Sequence, residues 1–218
     1  QTCALPIFIF AGGMSSPTNY YATVDVYDAG SSQWLPGYAL TVARAGMMAT
    51  TLPNQGLIFF AGGENSNGVT NVIDIFNLNT NQASTKPLTV ARSYGAATSI
   101  PSKGLAFFAG GRTGINQQTG QSNPSDVIDI YNGNTNIWTT AVLGVARVGL
   151  VGLSFDQAGI AFFAGGFETY LSSPIADTDY YTVSTNQWTS GYTSFVQGSS
   201  YATGGTLNNK NMMFIIGG

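Results

Sequence analysis

The chain of 218 residues contains no histidine and a single cysteine, Cys3. The first absence removes the commonest metal ligand, the usual general base and the physiological pH switch. The second leaves no way to build an intrachain disulfide, a thiolate cluster or a Cys-His nucleophile. Charge is scarce as well: seven Lys and Arg with ten Asp and Glu make up 8% of the chain, net -3, against about 25% in an average soluble domain. The basic residues are scattered, so there is no footprint for nucleic acid or an anionic membrane surface. No apolar run approaches the roughly 18 residues of a membrane helix. The only Asn-X-Ser/Thr match is spoiled by Pro124 after Asn123, so no glycosylation site marks the chain as extracellular. Nothing in the composition implies a cofactor or a metal.

What is present is repetition. A glycine doublet occurs at Gly12-Gly13, Gly62-Gly63, Gly110-Gly111, Gly165-Gly166 and Gly217-Gly218, a period of about 50 residues that marks stacked or radially arranged units. Arg44, Arg92 and Arg147 each stand 18 residues before the first glycine of a doublet. The fourth copy has Ser199 at that position. Between arginine and glycine runs a small-residue segment, a polar turn and an apolar run such as LIFFA, LAFFA or IAFFA. This is a hairpin whose second strand is apolar on both faces, as a strand between packed sheets must be.

A second invariant follows. Asp25, Asp74, Asp129 and Asp179 each lie two residues before an aromatic (Tyr27, Phe76, Tyr131, Tyr181), and Trp34, Ala83, Trp138 and Trp188 come seven residues later. The residues between are rich in Asn, Gly, Ser and Thr, which suit tight turns by tolerating positive φ or bonding their own backbone. Two hairpins make a four-stranded antiparallel sheet, and several such sheets around an axis make an all-β propeller.

Gly-Gly, then an aromatic, then a tryptophan at fixed spacing resembles the kelch repeat, over residues 8–218. That likeness implies about four repeats (8–43, 44–91, 92–146 and 147–198, with a partial unit at 199–218) and a role as a protein-interaction domain. Propellers similar to these also include copper-radical sugar oxidases, but their metal sites draw on histidines that this chain lacks. The strands number three, then three sets of four, then two. We therefore expect an incomplete ring, a fragment of a longer chain, with a strand at 196–206 able to complete the first sheet. Alone, such an arc should aggregate or stay open. Residues 1–7, QTCALPI, back-translate into a common sequencing-adapter run and are read as a non-native leader.

The repeated residues read as structure. Arg44, Arg92 and Arg147 with the in-register aspartates are expected to pair and to join adjacent sheets, since the guanidinium fork suits carboxylates and carbonyls. The aromatics are expected to wedge between sheets. The glycines answer backbone geometry, because no helix or Lys-Ser/Thr follows them to hold a phosphate. Function should lie where repeats differ. Between the second glycine and the aspartate lie 11, 10, 17 and 12 residues, so insertions gather in one connection per unit, on one face. Tyr20, Tyr21, Glu64, Arg112, Phe167, Glu168, Tyr170 and Leu171 in these loops are the candidate partner-binding residues, being aromatics and charges of the kind recognition surfaces use. A protein partner is the leading expectation and a glycan the alternative. A catalytic pair of carboxylates is conceivable, for example Glu168 with Asp177, but we expect no catalysis.

Overall fold

A computed structural model describes residues 7–168, 173–192, 200–207, 210 and 212–217. The protein is all-β, with no α-helix among the described residues. Among the described residues, seventeen strands form five antiparallel sheets, and six short strands form three separate hairpins. The first sheet pairs Ile7–Ala11, Thr23–Asp28 and Gln33–Ala39. The second holds Met48–Leu52, Leu57–Ala61, Val72–Asn77 and Gln82–Pro87 in that order. The third repeats the plan with Ala96–Ile100, Leu105–Ala109, Val127–Asn132 and Ile137–Val142. The fourth has Val151–Phe155, Ile160–Ala164, Asp177–Thr182 and Gln187–Tyr192, and the fifth only Thr203–Leu207 and Met212–Ile216.

The pairing of the Gly-Gly strand with the aspartate strand keeps one register through the first four sheets. Phe10, Phe60, Phe108 and Phe163 stand opposite Asp25, Asp74, Asp129 and Asp179. The turns before the last strand place Ser32, Asn81, Asn136 and Asn186 at positive φ, a conformation asparagine tolerates better than most residues. Asp28, Asn77 and Asn132 each accept a backbone N–H two residues on, closing the same turn in three sheets.

The first strands of sheets two to five pack side by side in sequence, so the sheets converge along that line. The core lies between sheets. Leu52, Phe59 and Ala61 of the second sheet bury against Ala106, Phe108 and Tyr131 of the third. Ile100, Phe107 and Ala109 of the third bury against Ala161 and Phe163 of the fourth, with Tyr181 and Trp188 alongside.

Two expectations meet a different outcome. The strand expected to complete the first sheet, where it is described, pairs instead with Met212–Ile216. A hairpin between sequence neighbours closes a short loop at little entropic cost, whereas pairing with the first sheet would close a loop of the whole chain. Among the described residues the first sheet has three strands, and a groove of about 720 Å³ lined by Ile7, Ile9, Leu57 and Phe60 runs along it. The insertions after the glycine doublets are also more regular than loops: in three units they form the hairpins Met14–Ser16 with Asn19–Tyr20, Glu64–Asn65 with Gly68–Val69, and Arg112–Ile115 with Ser122–Pro124.

Candidate partner-binding site

The arginines sit at the sheet junctions. Arg44 is 0% exposed. Its guanidinium donates to the carbonyls of Gly62, Val42 and Phe60, at 2.7, 2.9 and 3.0 Å, and its NH2 lies 2.7 Å from Asp74 Oδ2. Arg92 pairs with Asp129 at 2.7 Å and Arg147 with Asp179 at 2.6 Å. These ion pairs lie within one sheet, but the arginine backbone belongs to the junction with the sheet before. The carbonyls of Arg44, Arg92 and Arg147 accept from the N–H of Gly13, Gly63 and Gly111, at 2.9 to 3.0 Å. Each aspartate also receives the backbone N–H of the connecting segment, from Thr41, Thr89 or Gly144.

Burial lowers the pKa of Arg44 and Arg92, while the hydrogen bond and charge of Asp74 or Asp129 oppose the shift. Both guanidinium groups are buried and held by their own unit's carbonyls and aspartate, although the Nε of Arg92 and of Arg147 has no hydrogen-bond partner among the described residues. The glycine doublets complete the staple. A Cβ on Gly12, Gly62 or Gly110 would come within 2.5, 2.2 or 2.8 Å of the next unit's arginine carbonyl, so no side chain fits where the sheets meet.

The residue after each doublet is Met14, Glu64, Arg112 or Phe167, and the last three occupy one equivalent backbone position. Bridges Ala45 to Glu64, Ser93 to Arg112 and Val148 to Phe167 tie each back to its own unit. Glu64 and Arg112 therefore meet across the second and third sheets. Arg112 NH2 donates to Glu64 Oε1 at 2.5 Å and its Nε to Oε2 at 3.1 Å. Ser93 Oγ donates to the same Oε2 at 2.7 Å. The guanidinium carbon lies 4.8 Å from the centroid of Tyr94, a cation over an aromatic face.

A second row runs beside the first. Gly46, Tyr94, Gly149 and Tyr201 all have positive φ, between 52° and 68°, and join in a chain of backbone hydrogen bonds. Tyr94 N–H donates to Gly46 O, Gly149 N–H to Tyr94 O, and Tyr201 N–H to Gly149 O, at 2.7 to 3.0 Å. Glycine and tyrosine alternate for a steric reason. The ring of Tyr94 lies 3.0 Å from where a Cβ on Gly46 would stand, and the ring of Tyr201 3.2 Å from one on Gly149. The tyrosines are bulky residues in the left-handed region, conformations that cost energy and cluster at functional sites. These four residues, with Met47, Gly95, Leu150 and Ala202, line an opening of about 230 Å³. Burial and the charge of Glu64 raise the Tyr94 pKa, with Arg112 opposing, so its hydroxyl stays protonated.

Tyr94 and Tyr201 meet edge to face at 6.3 Å, and Phe167 reaches Tyr201 at 5.5 Å. Glu64, Arg112 and Phe167, distant in sequence, thus belong to one cluster, connected by tyrosines that the loop-centred reading overlooked. Their signal was present in the alternation of Gly46, Tyr94, Gly149 and Tyr201 two residues past each arginine or its serine replacement. Phe167 is 5% exposed and packs its ring against Tyr201. This corrects its reading as a contact residue: its backbone bridge to Val148 pulls the ring into the junction. Glu168 is exposed. Tyr20 and Tyr21 stay with the first hairpin, Tyr20 half-buried and Tyr21 exposed with its N–H donating to Gly13 O. Tyr170 and Leu171 lie outside the described residues. Among the described residues no group of three potential metal ligands occurs, and no helix is long and apolar enough to cross a membrane. Comparison of the chain with known protein-family models and with curated proteins gives no match.

Proposed function

We propose that the chain is an arc of a kelch-like β-propeller acting as a non-catalytic binding module, with the face bearing the Glu64, Arg112, Tyr94 and Tyr201 cluster turned to a protein partner. The observation that carries this reading is chemical variety at equivalent backbone positions. Where the junction residues repeat, Glu64, Arg112 and Phe167 differ, and they do so beside an opening rimmed by two strained tyrosines. A rigid scaffold with variable residues at its convergence line suits recognition, and tyrosine and arginine dominate interface hot spots. The propeller reading draws support from the repeated four-stranded sheets in constant register and from first strands that pack in sequence.

The test is affinity for a partner captured on the tagged chain. Arg112→Ala, Tyr201→Ala and Tyr21→Ala should each weaken binding about tenfold or more, the threshold of an energetic contact, with the unfolding midpoint of Tyr21→Ala unchanged. Equal affinity for all three variants and the parent chain rejects this face. A glycan ligand is the second reading, favoured by the tyrosine rings at the opening, whose faces suit stacking on a sugar ring. A glycan array silent for the parent chain removes it.

A further inference from the structure

The chain contains two Asn-Gly dipeptides, Asn67-Gly68 and Asn132-Gly133. Such a pair is chemically labile, because a residue without a Cβ leaves its backbone nitrogen open to attack the carboxamide carbon of the asparagine before it. Whether the reaction runs depends on how the fold holds both residues, and it holds these two pairs differently.

Asn132 ends the strand Val127–Asn132 and is half-buried. Its Oδ1 accepts the backbone N–H of Asn134 at 2.9 Å and of Thr135 at 3.3 Å, which fixes the carboxamide over its own turn. The Gly133 N–H donates to Gly104 O at 2.7 Å. A Cβ on Gly133 would lie 3.2 Å from both Leu52 and Gln55 of the second unit, so the space beside the dipeptide is already filled. Ring closure there has to break all of these hydrogen bonds and push against the neighbouring unit.

Asn67 lacks these restraints. It occupies the turn between Glu64–Asn65 and Gly68–Val69 and is exposed. Among the described residues its carboxamide has no hydrogen-bond partner, while its backbone N–H donates to Asn65 Oδ1 at 2.9 Å. Gly68 has a φ of 109°, and beyond its chain neighbours no atom comes within 4 Å of where a Cβ would stand, which leaves open space for a ring. Gly68 pairs with Asn65, but so short a ladder frays at little cost and frees the glycine nitrogen.

We propose that Asn67 is a site of spontaneous deamidation and that the fold shields Asn132 from the same reaction. The Gly68 nitrogen gives its proton to solvent base and bonds to Cγ of Asn67. The Cγ–Nδ2 bond breaks, and Nδ2 leaves as ammonia with a proton from water. Water then adds across either C–N bond of the resulting succinimide, leaving an aspartyl or isoaspartyl residue. Either product adds a negative charge to the hairpin that carries Glu64, whose second strand packs beside Arg112–Ile115. The isoaspartyl product also inserts a methylene into the main chain, which the short Asn65–Gly68 register has no slack to absorb. The reaction needs no partner and stands apart from the binding reading.

The experiment is peptide mapping by mass spectrometry after the intact folded chain is incubated at mildly alkaline pH, beside a parallel sample held in denaturant. The Asn67 peptide of the folded chain should gain the mass difference between O and NH and split into aspartyl and isoaspartyl species, the latter labelled by an isoaspartyl methyltransferase. The Asn132 peptide should stay unchanged. In denaturant, with the protection of the fold gone, both peptides should convert. Ion exchange of the intact chain should show a growing acidic form that elutes with Asn67→Asp and is missing from Asn67→Gln. Conversion at Asn132 as fast as at Asn67 in the folded chain overturns the proposal, as does an Asn67 that stays intact while the denatured sample converts, or an acidic form that Asn67→Gln still produces.

Discussion

The third sheet and the first contain the same motif, and the motif does different things in each. Asp129 is buried, pairs with Arg92 at 2.7 Å and accepts from Thr89 N–H, while Trp138 is half-buried against the neighbouring sheet. Asp25 stands at the same register opposite Phe10 but is exposed, and among the described residues it joins no ion pair. Trp34, with its ring in the same relation to Tyr27, faces outward. A repeat's residues therefore have no fixed role of their own; it is conferred by the unit's own arginine together with a connecting segment and an apolar face from the preceding unit. This is the physical content of nearest-neighbour coupling in repeat proteins.

The largest effect that would sharpen this contrast is at the aspartates. Asp129→Ala leaves Arg92 buried and uncompensated and should cost about 3–5 kcal/mol, whereas Asp25→Ala should stay within about 0.5 kcal/mol. Urea unfolding of both variants measures the difference, and equal losses would break the comparison.

Next come the glycines. Gly62→Ala forces a Cβ to 2.2 Å from the Arg92 carbonyl at a φ of 66°, so it should lose more than the about 1–2 kcal/mol of left-handed strain alone. Gly217, the matching residue of the last sheet, has φ 84° and open space around it. Its alanine variant should cost the strain alone or less, read as a smaller fall in unfolding midpoint.

The smallest effect is on pH. Burial raises the pKa of Tyr131 and Tyr181. Because the unfolded chain then loses these protons first, stability should be flat below about pH 10, the ordinary tyrosine value, and fall as pH rises above it. Tyr131→Phe should make that fall shallower in a series of denaturant titrations between about pH 9 and 11.

Much of this was legible in the residues. The Gly-Gly period, the aspartate before each aromatic and the Asn-rich turns locate the strands, because alternation and turn chemistry are local properties. The candidate site was legible only in part. Glu64 and Arg112 stood out as charges in variable loops, but 48 residues separate the partners of their ion pair, and no periodicity reports which loop residues converge. Tyr94 and Tyr201 looked like members of a small-residue strand. Their left-handed backbone and the glycines beneath their rings emerge only when neighbouring units are placed side by side. Phe167 misled for the same reason: an aromatic in a loop has no burial until its bridge partner, Val148, is in place.

Sequence alone determined the all-β class, the length of the repeating unit and the identity of the junction residues, since these follow from spacing and from what each side chain permits its own backbone. Tertiary structure decided which copies of the motif are satisfied. Whether an aspartate is a buried ion or a solvated one, and whether a tryptophan is a wedge or a free surface, depends on a sheet contributed from dozens of residues away.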